Sequence, residues 1–186
     1  GSPDVLYGIR LNNATDVVIR DSEFPEEFTA AITQFGSVAT VSFINCHFGG
    51  PPLEGPRDAR YTLVNITGCS MGSYWQTPTT FSLTNFGEWV ANPPPVPVFI
   101  LADCTIPAEA SVILQVSGRW TVAVTRLTAA GNFAMKMALE SAYDDVLISV
   151  VDCKFSGDLV NDPLITSGAG SPLVVTDNQF TQVTAN

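Results

Sequence analysis

The chain has 186 residues, 46% of them hydrophobic, and a formal charge of −10 from 18 acidic and 8 basic side chains. That length fits one domain, with enough apolar content for a continuous core. The acidity, with Lys136 and Lys154 as the only lysines, argues against nucleic acid or an anionic membrane as partner, and no apolar run reaches the length of a membrane span.

Gly1 and Ser2 read as a cloning remnant and are set aside. From residue 3 onward one phrase recurs seven times: VVIRDSEF, VSFINCHF, LVNITGCSM, VFILADCTI, VAVTRLTA, ISVVDCKF and LVVTDNQF. Their last residues are Phe24, Phe48, Met71, Ile106, Ala129, Phe155 and Phe180, at steps of 24, 23, 35, 23, 26 and 25. A period in the twenties is the signature of a solenoid, in which each coil buries its apolar face only against its neighbours. Counted back five and seven residues from these anchors, every position is apolar, from Val17 and Ile19 to Leu173 and Val175. The positions between are mixed, so the phrase is a strand with one face inward. Three residues before each anchor stand Asp21, Asn45, Gly68, Asp103, Arg126, Asp152 and Asp177, mostly turn formers, and the alternation changes phase there. The strand is expected to bend at that column.

The second half of each coil also reads as strand: AITQF before Gly36, FSLTNF before Gly87, SVILQVSG and PLITSG. NFAMKMALESAY can be written as a helix or as strand. A leucine-rich-repeat solenoid is the alternative, since Val38, Val41, Phe43, Cys46 and Phe48 fit its spacing. Composition favours sheets: of the twenty-one inward positions eleven are Val or Ile and two are Leu. The expected fold is therefore an all-β, right-handed parallel β-helix of about seven coils over residues 3–186, a single domain that reads as a piece of a longer solenoid.

Four features carry candidate chemistry. Cys46, Cys69, Cys104 and Cys153 all fall two residues before their anchors, on an inward column shared with Ser22, Leu127 and Asn178. They read as a ladder of buried thiols acting as small hydrophobes, about 4.8 Å apart in adjacent coils. With no paired C-x-x-C, neither a zinc site nor any cofactor is expected. Second, GCSMG (Gly68 to Gly72) matches the G-x-S-x-G of serine hydrolases, and stacking would place Glu23, His47 and Ser70 side by side on an outward column. The elbow of those enzymes is a strand-to-helix turn, whereas Ser70 lies inside a coil, so no catalytic residue is assigned. Third, Asp103, Arg126, Asp152 and Asp177 stack at the bend, where Arg126 would neutralise a ladder that otherwise repels. Fourth, Asn13-Ala14-Thr15 and Asn65-Ile66-Thr67 are glycosylation sequons at outward positions, which together with low lysine and high threonine lean towards a secreted or surface protein.

The long step holds the expected working surface. It runs GSYWQTPTTFSLTNFGEWVANPPPVP, an insertion near 72–97 with Tyr74, Trp75, Phe86, Trp89 and the triple proline Pro93 to Pro95. Extra residues in a solenoid emerge as loops on one face, and aromatic rings on preorganised loops suit glycan or protein contact. A smaller detour, GGPPLEGPRDAR, precedes it.

The phrases, LVVTDNQF above all, resemble the V-x-I-x-N-N-x-I coils of right-handed parallel β-helix, or pectin-lyase-like, proteins across nearly the whole chain. ISVVDCKF and VFILADC also look like the dispersed-gene-family surface proteins of trypanosomatid parasites. The broader resemblance implies a fold and leaves open a fragment of a carbohydrate-active lyase or hydrolase, although N-T-D and G-H-G motifs of such hydrolases are missing. The narrower one implies a surface or adhesion role without catalysis. The leading expectation is a noncatalytic extracellular or cell-surface solenoid that presents loops to a glycan or host-surface protein. A purely structural spacer is the third possibility.

Overall fold

The computed structural model describes residues 7–12, 14–25, 30–35, 40–50, 52, 62–72, 79–84, 97–117, 120–138, 147–157, 165–166 and 173–180. Every strand pairing among them is parallel. The chain is a parallel β-solenoid.

Three walls run along it. The first is a seven-stranded sheet of β2 (Asp16–Arg20), β5 (Thr40–Ile44), β7 (Leu63–Thr67), β10 (Val98–Ala102), β13 (Thr121–Thr125), β16 (Leu147–Val151) and β19 (Leu173–Thr176), stacked in chain order. The second consists of the two-residue strands β3 (Glu23–Phe24), β6 (His47–Phe48), β8 (Ser70–Met71), β11 (Thr105–Ile106), β14 (Thr128–Ala129), β17 (Lys154–Phe155) and β20 (Gln179–Phe180). The third pairs β1 (Tyr7–Asn12) with β4 (Ala30–Phe35). After a gap it resumes as a four-stranded sheet of β9 (Thr79–Thr84), β12 (Ser111–Ser117), β15 (Asn132–Ala138) and β18 (Ile165–Thr166). Between β6 and β7, where GGPPLEGPRDAR lies, the described residues hold no third-wall strand. NFAMKMALESAY begins as strand, and no helix occurs among the described residues, so the leucine-rich-repeat alternative falls away.

The periodicity accounts for the core. In the five inner coils all fifteen inward positions are buried, with Val41, Phe43, Phe48, Val122, Ile148 and Val150 fully so. Each such burial contributes roughly 1.5–3 kcal/mol against exposure. In the last coil, Leu173, Val175 and Phe180 are 41–46% exposed, because they pack on one neighbour instead of two. Equivalent rings stack: Phe24 on Phe48 at 5.6 Å and Phe155 on Phe180 at 5.4 Å.

All seven residues of the bend column have positive φ: 49–58° for Asp21, Asn45, Asp103, Arg126, Asp152 and Asp177, and 66° for Gly68. One left-handed residue turns the chain from the first wall into the second. L-residues pay about 1–2 kcal/mol for this conformation, least for Asp, Asn and Gly, which explains five of the six non-glycine choices. Hydrogen bonds run through the bend, since the amides of the first six bend residues donate to the following coil (Asp21 N to Ile44 O 3.0 Å, Asn45 N to Thr67 O 2.9 Å, Asp103 N to Thr125 O 3.0 Å).

Candidate functional site

The bend sets the geometry of each chemically distinctive residue. It turns the next residue inward, which creates the thiol column, and the residue after that outward, which creates the column of Glu23, His47 and Ser70.

The four cysteines are unbridged and buried. They are more than small hydrophobes. Each sulfur faces two main-chain carbonyls, one two residues back and one in the preceding coil: Cys69 meets Thr67 O at 3.4 Å and Phe43 O at 3.6 Å, and Cys104 meets Ala102 O at 3.1 Å and Ile66 O at 3.5 Å. The amide in this column lies off the strand ladder and finds its acceptor one coil on, so Cys46 N donates to Cys69 Sγ at 3.3 Å. Asn178 plays the same part with an amide: its Oδ1 accepts from Cys153 N and its Nδ2 donates to Val150 O, both at 2.9 Å. Ser22 also donates two residues back, to Arg20 O at 2.7 Å. Only the shared column position hinted that Asn178 and Ser22 belong with the thiols.

Burial pushes the Cys46 and Cys153 thiols up. In the pair Cys69–Cys104 the hydrogen bond between them, then burial, pushes Cys104 up, whereas the bond from Cys104 draws Cys69 down to about 7. Of the two thiols, Cys104 holds its proton the more tightly.

On the outward column Glu23, His47 and Ser70 are in register, and His47 Nδ1 and Ser70 Oγ share a hydrogen bond of 2.8 Å. Among the described residues the rest of a triad is not assembled. The other ring nitrogen, Nε2, lies 3.5 Å from where a side-chain carbon on Gly72 would stand, so neither nitrogen is turned to Glu23. Ser70 N and Gly72 N are spent on Cys46 O (2.9 Å) and Phe48 O (2.6 Å), leaving neither as an oxyanion donor. The arrangement is one shared hydrogen bond between His47 and Ser70, with neither of these two amides left to hold the oxyanion of a tetrahedral intermediate.

At the bend column Arg126 forks onto Asp103, Nε to Oδ1 at 2.6 Å and Nη2 to Oδ2 at 2.7 Å, and its hydrogen bond holds the Asp103 carboxyl below the usual range. The fork gives the left-handed arginine a partner in the preceding coil. Asn45 Nδ2 donates to Asp21 Oδ1 at 3.2 Å, and Asn45 Oδ1 lies 2.6 Å from where a Gly68 side chain would begin. Among the described residues no three His, Cys, Asp or Glu side chains converge to hold a metal. A cavity of about 20 Å³ beside Pro52, lined by Ile66, Met71, Phe99 and other apolar side chains, has room for a water-sized body and no polar group to hold it.

Asn65 lies outward in the middle of β7, with Thr67 Oγ1 donating to its Oδ1 at 2.8 Å. Tyr74, Trp75, Phe86, Trp89 and Asn13 lie outside the described residues. Their places in the chain are nonetheless informative. The registers Thr79↔Val112 and Thr84↔Ser117 divide the twelve extra residues of the long coil between two connections. Two fall between β8 and β9, with Tyr74 and Trp75, and ten between β9 and β10, with Phe86, Trp89 and the prolines.

The chain matches no protein-family model, no curated protein and no solved structure. The fold class defined by its own strands, a parallel β-solenoid, is thus the level at which it is placed.

Proposed function

We propose that this chain is a noncatalytic extracellular or cell-surface solenoid that presents the connections between its coils to a glycan or protein partner. The observation that carries this reading is the register between β7 and β10. Their five residues pair one for one, from Leu63↔Val98 to Thr67↔Ala102, although the coil joining them is twelve residues longer than the next. The flanking strands keep their register, so the additional residues fall in the β8–β9 and, mainly, the β9–β10 connections. A rigid scaffold positions such connections without constraining their sequence, and contact residues concentrate there. Proline lowers the ordering cost of binding, and Trp and Tyr supply contact area with little rotamer entropy. The resemblance of the phrases to pectin-lyase-like coils and to trypanosomatid surface proteins supports the same reading, as do the two sequons.

The test is a glycan-array and cell-surface binding screen with wild type and a Trp75→Ala/Trp89→Ala variant of unchanged circular dichroism. Binding by wild type and its loss in the variant is the expected result. Binding that survives both substitutions removes these connections from the function, and no binding by either leaves a structural spacer.

A further inference from the structure

The outer face of the five inner strands of the first wall is uncharged, whereas β2 at its edge turns Asp16 and Arg20 outward. In β5, β7, β10, β13 and β16 inward and outward side chains alternate, and none of the fifteen outward ones, of which Ala102 is itself buried, carries a charge. A solvated surface is ordinarily a quarter to a third charged, roughly four such positions in fifteen. Here stand Ile44, Leu63, Val98 and Ile100, with Leu147 42% exposed. Asn65 occupies the middle, level with Ser42 on one side and Ile100 on the other.

Strand alternation turns Asn65 and Thr67 outward together and sends Ile66 into the core, 1% exposed. The Thr67 hydroxyl occupies Asn65 Oδ1, and among the described residues Asn65 Nδ2 has no partner. The nitrogen that an N-glycan would take is therefore free, and the tripeptide has the N-x-T form.

We infer that Asn65 carries an N-linked glycan whose first sugars lie over this uncharged face and keep it from associating. The inference rests on the extracellular reading, because attachment requires passage through a secretory compartment. There Asn65 Nδ2 bonds to the anomeric carbon of a polyprenyl-diphosphate-linked oligosaccharide. The bond from that carbon to the diphosphate oxygen breaks, the polyprenyl diphosphate leaves with the electron pair, and the amide loses one proton. A second copy of the chain is the less suitable cover. Five strands about 4.8 Å apart and four residues of about 3.3 Å rise span roughly 250 Å², well below the ≈ 800 Å² per partner of a stable interface, so bare faces would meet only weakly and at high concentration. A glycan is held by its covalent bond and needs no such area.

The experiment is secretion of the chain from a eukaryotic host, which supplies the compartment whatever the native location, so its outcome is independent of the binding screen. Enzymatic glycan release in heavy-oxygen water should mass-tag the Asn65 peptide in most molecules, and Asn65→Gln should abolish the tag without altering circular dichroism. Both Asn65→Gln and Thr67→Val, which spares the asparagine, should bind about twofold more apolar dye and self-associate with concentration in sedimentation. An untagged Asn65 peptide from folded secreted protein overturns the inference. Sugar-free variants that match wild type in dye binding and sedimentation overturn the shielding role.

Discussion

The amide of Cys46 donates to the sulfur of Cys69, one coil further on, at 3.3 Å. Cys69 in turn faces Phe43 O and Thr67 O. One thiol thus serves main-chain groups of three segments in a part of the coil where strand pairing cannot. Cys69→Ala leaves a buried amide without an acceptor, which costs about 1–3 kcal/mol, whereas Cys69→Ser keeps a donor and an acceptor. Denaturant unfolding should place Ser between wild type and Ala. Ala at or above Ser in stability would make the column merely apolar.

The same burial protects the thiols. All four cysteines are at most 2% exposed. Native protein should resist a disulfide-forming thiol reagent at neutral pH, and denatured protein should titrate four thiols. Rapid labelling of folded protein would show a coil that opens.

Gly68 is the strictest position of the bend. Its φ of 66° disfavours a side chain, and a Cβ there would sit 2.6 Å from Asn45 Oδ1. Gly68→Ala should cost about 1–2 kcal/mol for the backbone alone, and more while Asn45 is present. In an Asn45→Gly background, which removes the clash at no backbone cost, the penalty should fall to the backbone part. Equal penalties in both backgrounds would dismiss the contact.

The Asp103–Arg126 fork sets a pH dependence. Arg126 depresses the carboxyl's folded pKa, so the unfolded chain takes up this proton first on acidification. The fork's contribution is present above the unfolded value of about 3.9 and is lost as pH falls through the folded one. Both groups are solvent-exposed, so the contribution is small. Carboxyl titration by NMR should put the Asp103 midpoint below that of Asp103 in Arg126→Ala. Coincident midpoints would mean that the fork is not held in solution.

Ser70 should not react with fluorophosphonate probes, because His47 turns no nitrogen to Glu23 and the nearby amides of Ser70 and Gly72 are committed to the ladder. Stoichiometric labelling abolished by His47→Ala would make the pair a nucleophile and its base.

Much of this was legible in the sequence because a solenoid repeats one environment. A column of seven residues averages out local accidents, so Val41, Val64 and Val122 declare an inward face together, and Asp21, Asn45 and Gly68 declare a bend. The family-level resemblance stated a fold, and the strands bear out a parallel β-solenoid.

Single residues were less legible, since their partners lie a whole coil away. Cys69 and Asn178 share a column in the sequence, but only stacking shows each accepting from the main-chain amide of that column one coil back. Glu23, His47 and Ser70 stand in the order of a triad, but which neighbour the imidazole ring turns to is set only in three dimensions. The length of the long coil was countable, but its division into two and ten residues required the register of β9 against β12. Periodicity by itself determined which side chains point inward and where the chain bends, because these follow from backbone geometry within one coil. The tertiary structure decided which polar groups meet, because hydrogen bonds depend on the direction of side chains and on neighbours that the sequence places more than twenty residues apart.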